Sequence, residues 1–193
     1  GAGLSQRVGP VRVLQLGMVL EVIGIVGIGA VISTEITGWG LAPWLFIYGM
    51  GVGFATAQLT GVILSEVPVA ESGQASAVQS TSRQVGAAIG TAILGTTLLI
   101  GLGSSVNNQL TDLGVPAASA EQVSNVVASS AGQAIPALAA QPDGQVLVEG
   151  ASQGFADASK QVAWVAAFFI LLGLLTSFLL PKNAARIESE GYR

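Results

Sequence analysis

Four long apolar runs decide what this chain can become: Val13 to Ile32, Pro43 to Leu64, Gly73 to Leu102 and Val162 to Leu180. Each has about 20 residues or more, and at ~1.5 Å per helical residue that is enough to cross the ~30 Å hydrocarbon core of a bilayer. In lipid every backbone N–H and C=O must find its partner within the chain, so spans of this length form helices. The expected fold is an all-α membrane protein with four transmembrane helices, at residues 13–32, 43–64, 73–102 and 162–180. Only 9% of the residues are charged, against about a quarter in soluble domains. The 26 glycines lie within the apolar runs as well as between them, as is usual for membrane helices.

The inventory excludes several function classes. With no cysteine and no histidine, there can be no disulfide framework, thiol nucleophile, imidazole metal site or Ser-His-Asp triad. No paired carboxylates stand in for them, so the expectation is neither an enzyme nor a holder of metal or cofactor. A net charge of -4 argues against a nucleic-acid partner, which needs clustered Lys and Arg. The chain opens at Gly1 without a methionine and without the charged-then-apolar order of a signal peptide, and is expected to be a fragment.

Basic residues in short flanking segments stay cytoplasmic. Arg7 and Arg12 precede the first run, and Lys182, Arg186 and Arg193 follow the last. Four spans put both ends on one side, so the two clusters agree: residues 1–12 form a cytoplasmic loop and 181–193 a cytoplasmic tail. Residues 103–160 are then extracytoplasmic, too polar for lipid and too long for an unstructured connection. Ser119-Ala120-Glu121-Gln122 has the order of a capping box that would start a helix there, and Gln145 onward extends the fourth helix outward.

Polar residues inside the spans are the site candidates. Gly17, Glu21 and Gly24 are spaced four and three apart, on one stripe facing a helix neighbour. An unpaired carboxylate in mid-membrane is costly, so Glu21 is a weak proton-coupling candidate, with a protonated or hydrogen-bonded structural role as the alternative. In the second helix Gly49 and Gly53 share a stripe with Thr56 and Thr60 and read as a packing surface. Gln58, on another face with Gly51 and Ala55, either bonds across helices or meets a ligand. In the third, Gln79, Arg83, Gly86 and Gly90 lie on one face, and Ser76, Ser80, Thr81, Ser82 and Gln84 make that half polar nearly all round. An Arg at a helix centre costs about 2.5–3.5 kcal/mol on the insertion scale, so this half must meet protein or line a water-filled cavity. Gly86 and Gly90 join the packing candidates. Arg83 and Glu21 fall at similar depths, which leaves a pair between them open.

The order Val67-Pro68 … Ser72-Gly73-Gln74-Ala75-Ser76, followed by Arg83-Gln84-Val85-Gly86 and Gly90, resembles the 14-helix drug:proton antiporter branch of the major facilitator superfamily. Leu4 to Arg12 is similar to that superfamily's inner-loop motif in its second-half copy, departing from it at Gln6 and Ala2. The resemblance covers essentially the whole chain as the last four helices of fourteen, part of the transporter's C-terminal half. It implies a multi-pass protein of the cell membrane, working by alternating access and exchanging protons for small hydrophobic or cationic compounds. Its partners would be that substrate, protons, the lipid bilayer and the N-terminal helices missing here. It also implies that the second and third helices reach the central cavity while the first and fourth are peripheral. Gln58, Gln79 and Arg83 are thus substrate-cavity candidates, and Glu21 is demoted. A metabolite or siderophore exporter of the same fold is the near alternative, and a stand-alone four-helix structural subunit the distant one.

Overall fold

The computed structural model describes residues 9–64 and 67–179. The expected inner loop before Gly9, Ser65, Glu66, and the tail with its Pro181 stop and basic cluster lie outside the described residues. Among the described residues five α-helices follow in order: α1 (Pro10–Val31), α2 (Gly38–Leu64), α3 (Ser72–Asp112), α4 (Ala117–Ser129) and α5 (Gly144–Ser177), with 3-10 turns at Val69–Glu71 and Ile135–Ala140. The chain is an all-α membrane protein: α1, α2, α3 and α5 are each long and apolar enough to cross a membrane.

The helices overrun the apolar runs. α2 starts ahead of Pro43 and holds it as an interior residue, not in a first turn as its position in the sequence predicts. The Thr37 carbonyl already accepts from Gly40 N at 2.9 Å and Leu41 N at 3.4 Å, so the first turn closes before the proline removes a donor. α3 has 41 residues, about twice a span, because hydropathy falls after Leu102 but helix-breaking chemistry does not arrive until Gly114. Gly114 takes φ +82°, Val115 N donates to Leu110 O at 3.0 Å and Gly114 N to Thr111 O at 3.0 Å. That is a Schellman stop, which favours glycine at the left-handed position. Pro116 then caps α4 with φ -54° and no side-chain hydrogen bond. The expected capping box is therefore absent. Ser119 is already inside α4, and its N–H donates to Pro116 O at 2.9 Å, because a proline starts the helix first.

The chain forms two compact units. In the first (1–26, 42–89 and 167–193), α1 and α2 run antiparallel in close backbone contact. A Cβ added at Gly17 would stand 2.6 Å from Ala55 N, one at Gly51 2.6 Å from Glu21 N, and one at Gly24 2.7 Å from Tyr48 N. Small residues permit this approach where packing, not water exclusion, drives helix association.

The second unit (27–41 and 90–166) has its own apolar core. Leu102, Val106 and Leu110 of α3 meet Val123 and Val127 of α4, Leu138 of the 3-10 turn, and Leu147 and Ala151 of α5. Every spacing is three or four, one face per helix. Gly154 lets α5 close on α3, since its Cβ would stand 2.6 Å from Val106 Cα. Residues 103–160 are thus largely helical and packed. Across this core Gln109 Nε2 donates to Asp157 Oδ2 at 3.0 Å, and Lys160 pairs with the same carboxylate group at 3.2 Å.

Candidate functional site

The first unit carries Glu21, Gln58, Gln79 and Arg83. Gln79 and Arg83 lie one turn apart on α3, and Gln79 Nε2 donates to Thr60 Oγ1 of α2 at 3.1 Å. That bond fixes how α2 and α3 face each other there. Residues 80–89 are exposed throughout, and Arg83 has no hydrogen-bond or ion-pair partner among the described residues. A lone guanidinium on an open polar face would in a membrane have to meet protein or water. Gly86, a turn further on, has no atom within 4 Å of where a Cβ would stand.

Gln58 does not join this face. It is 9% exposed, on the stripe of α2 that includes Gly51 and Ala55. Those two approach α1, and spacings of four and three carry Gln58 to the same side. That places its buried amide on the α1 side of α2, away from the exposed face of Gln79 and Arg83.

The packing glycines also sort differently from their sequence pattern. Gly49 and Gly53 have nothing within 4 Å, and neither do Gly86 and Gly90. Between α1 and α2 the close approach runs through Gly17, Gly24 and Gly51. The G-x-x-x-G spacing of Gly49 and Gly53 marks a face available for close packing, but sequence spacing does not say which small stripe meets the next helix.

Glu21 lines a crevice of about 500 Å³ between α1, α2 and α5, with Met18, Ala55, Thr56, Gly173 and Thr176 among its walls. It forms no ion pair with Arg83: among the described residues the ion pair is Lys160 with Asp157. The hydroxyls of α5 are spent locally, Thr176 Oγ1 donating to Gly173 O at 2.8 Å and Ser177 Oγ to Leu174 O at 2.6 Å, a common use of such groups inside helices. The α5 wall escaped sequence reasoning. Its signal was the small polar set Gly173, Thr176 and Ser177 in an otherwise apolar span, but only the fold brings it to Glu21. Gln15 marks the same junction, its Nε2 donating to Ser177 O at 3.3 Å.

Three curated proteins are similar to this sequence. The multidrug efflux pump LfrA of Mycolicibacterium smegmatis is 28% identical over 169 residues, 86% of this chain and 32% of the relative. The chain is related to drug exporters of the major facilitator type. A probable actinorhodin transporter of Streptomyces coelicolor is 30% identical over 58% of the chain, and a tetracenomycin C resistance and export protein of Streptomyces glaucescens 28% over 57%, each covered to 20% of its length. The chain spans between about a fifth and a third of the length of these relatives. No family model and no solved structure matches it. With four apolar helices, the relationship makes it a multi-pass membrane protein and bears out the resemblance read from the Val67-to-Gly90 motifs.

Proposed function

We propose that this chain is the C-terminal part of a proton-coupled multidrug efflux transporter, and that the open face of Gln79 and Arg83 on α3 borders the substrate path. The observation that carries this reading is Arg83, an unpaired cation on an exposed polar half-helix. Such a surface belongs against water or further protein. The N-terminal helices of the transporter would supply the opposite wall, and Gly86 and Gly90, open in this chain, leave room for them to approach. Transport proceeds by alternating access, the two halves rocking about a site near the midplane. Protonation of membrane carboxylates biases the inward and outward states. The protein acts as a carrier and not as an enzyme, its partners being a small hydrophobic or cationic substrate, protons and lipid. Both ends lie in the cytoplasm, a topology supported by basic residues at the two ends and by one lysine among five carboxylates in residues 103–160.

Glu21 takes a minor part here. Its crevice lies between α1, α2 and α5, and neither Gln79 nor Arg83 is among its walls.

The test is energised efflux of ethidium from cells expressing the full-length transporter, with and without a protonophore. Efflux that stops with the protonophore is expected. No efflux despite confirmed membrane insertion would overturn the multidrug reading in favour of an exporter of one compound. Two relatives named for single compounds support that second reading.

A further inference from the structure

The second unit holds a pocket that the transport reading does not use. It has a volume of about 570 Å³ and lies between the end of α3, one face of α4, the 3-10 turn and the start of α5. That is the size of sites that take drug-sized molecules, about 300–1,000 Å³. Its walls are apolar where they meet the core, through Val123, Leu138 and Leu147, with Val126 toward solvent. Gln122, Gln141 and Asp143 supply polar groups.

The charge in the pocket's lining is negative. Asp143 is its charged lining residue, exposed and with no side-chain hydrogen bond or ion pair among the described residues. It has φ +60°, a left-handed conformation that an aspartate tolerates better than most residues but still at a cost. Residues 103–160 hold Asp112, Glu121, Asp143, Glu149 and Asp157 against Lys160, and that lysine is held by Asp157 at 3.2 Å. Asp143, the charged group in the wall, therefore disfavours anions and attracts cations at the pocket.

We propose that this pocket binds lipophilic cations: drug-sized molecules whose apolar body rests on Val123, Val126, Leu138 and Leu147 while Asp143 faces the charge. The site stands on the second unit alone, so efflux by the whole transporter and binding here can succeed or fail separately.

The chain has no cysteine, so a single introduced thiol reports one position. Ser119→Cys lies in the pocket wall, and Ser129→Cys is an exposed site on the same helix outside it. The full chain in nanodiscs is labelled with a neutral maleimide in the presence of tetraphenylphosphonium or of tetraphenylborate, which has the same shape and the opposite charge. Tetraphenylphosphonium is expected to slow labelling at Ser119→Cys and leave Ser129→Cys unchanged, while tetraphenylborate protects neither. Adding Asp143→Asn, a neutral residue that keeps the left-handed conformation, should raise the half-protecting concentration about 1.4-fold to 5-fold, the range of an exposed charge pair. Equal slowing at both thiols would mean partition into lipid and would overturn the site. So would a Ser119→Cys thiol already unreactive without ligand, which would show the pocket covered by protein. Equal protection by the anion, or an unchanged midpoint in Asp143→Asn, would overturn the preference for cations.

Discussion

Replacing Gly51 by alanine should force α1 and α2 apart, whereas the same replacement at Gly53, two residues along the same helix, should not. The added methyl at Gly51 would stand 2.6 Å from Glu21 N, 2.6 Å from Gly17 O and 2.8 Å from Glu21 Cγ. Comfortable contacts between heavy atoms lie at about 3.5–4.0 Å, so the backbones would have to part by about 1 Å, and two of the three obstructing atoms belong to the main chain. Overpacking of this kind costs about 1–3 kcal/mol. At Gly53 nothing lies within 4 Å. Alanine gains about 1 kcal/mol of helix propensity over glycine at either position, so the gain cancels when the two variants are compared. Gly51→Ala should therefore be less stable than Gly53→Ala by about 1–3 kcal/mol, roughly a 5- to 150-fold difference in the folded-to-unfolded ratio. The assay is reversible unfolding of the purified chain in mixed micelles titrated with dodecyl sulfate, followed by tryptophan fluorescence. Equal midpoints, or a weaker Gly53→Ala, would refute the packing line through Gly17, Gly24 and Gly51.

In the full-length transporter Arg83→Ala should abolish efflux with membrane abundance retained, and unchanged efflux would remove Arg83 from the substrate path. Glu21→Gln should leave proton-driven efflux largely intact, since neither Gln79 nor Arg83 lines its crevice; complete loss with normal insertion would make Glu21 a coupling residue. Leu110→Ala removes a fully buried side chain from the second unit and should cost about 2–5 kcal/mol. Hydrogen exchange at Val123 and Val127 of α4 reads that loss, and protection equal to the parent would show that α4 does not depend on the α3 core.

Four membrane helices, the polar half of α3 and kinship with exporters were all legible in the sequence. Each depends on local chemistry. A run of apolar residues of bilayer length can satisfy its backbone only as a helix, and Arg83 among serines and glutamines makes one face unfit for lipid wherever the helix sits. Boundaries were less legible, because hydropathy marks where a helix leaves lipid and not where it ends. α3 continues from Leu102 to Asp112 until Gly114 and Pro116 stop it, and the serine at 119 is overruled as a cap by the proline before it. Which small stripe of α2 carries packing was decided by tertiary structure alone. Gly49, Gly51 and Gly53 look alike in sequence, but only the arrangement of α1 makes Gly51 the close contact and turns Gln58 inward with it. Glu21 was visible as a membrane carboxylate, while its crevice needed Gly173 and Thr176 from a helix far along the chain. Periodicity fixes which residues share a face, and long-range packing decides what that face meets.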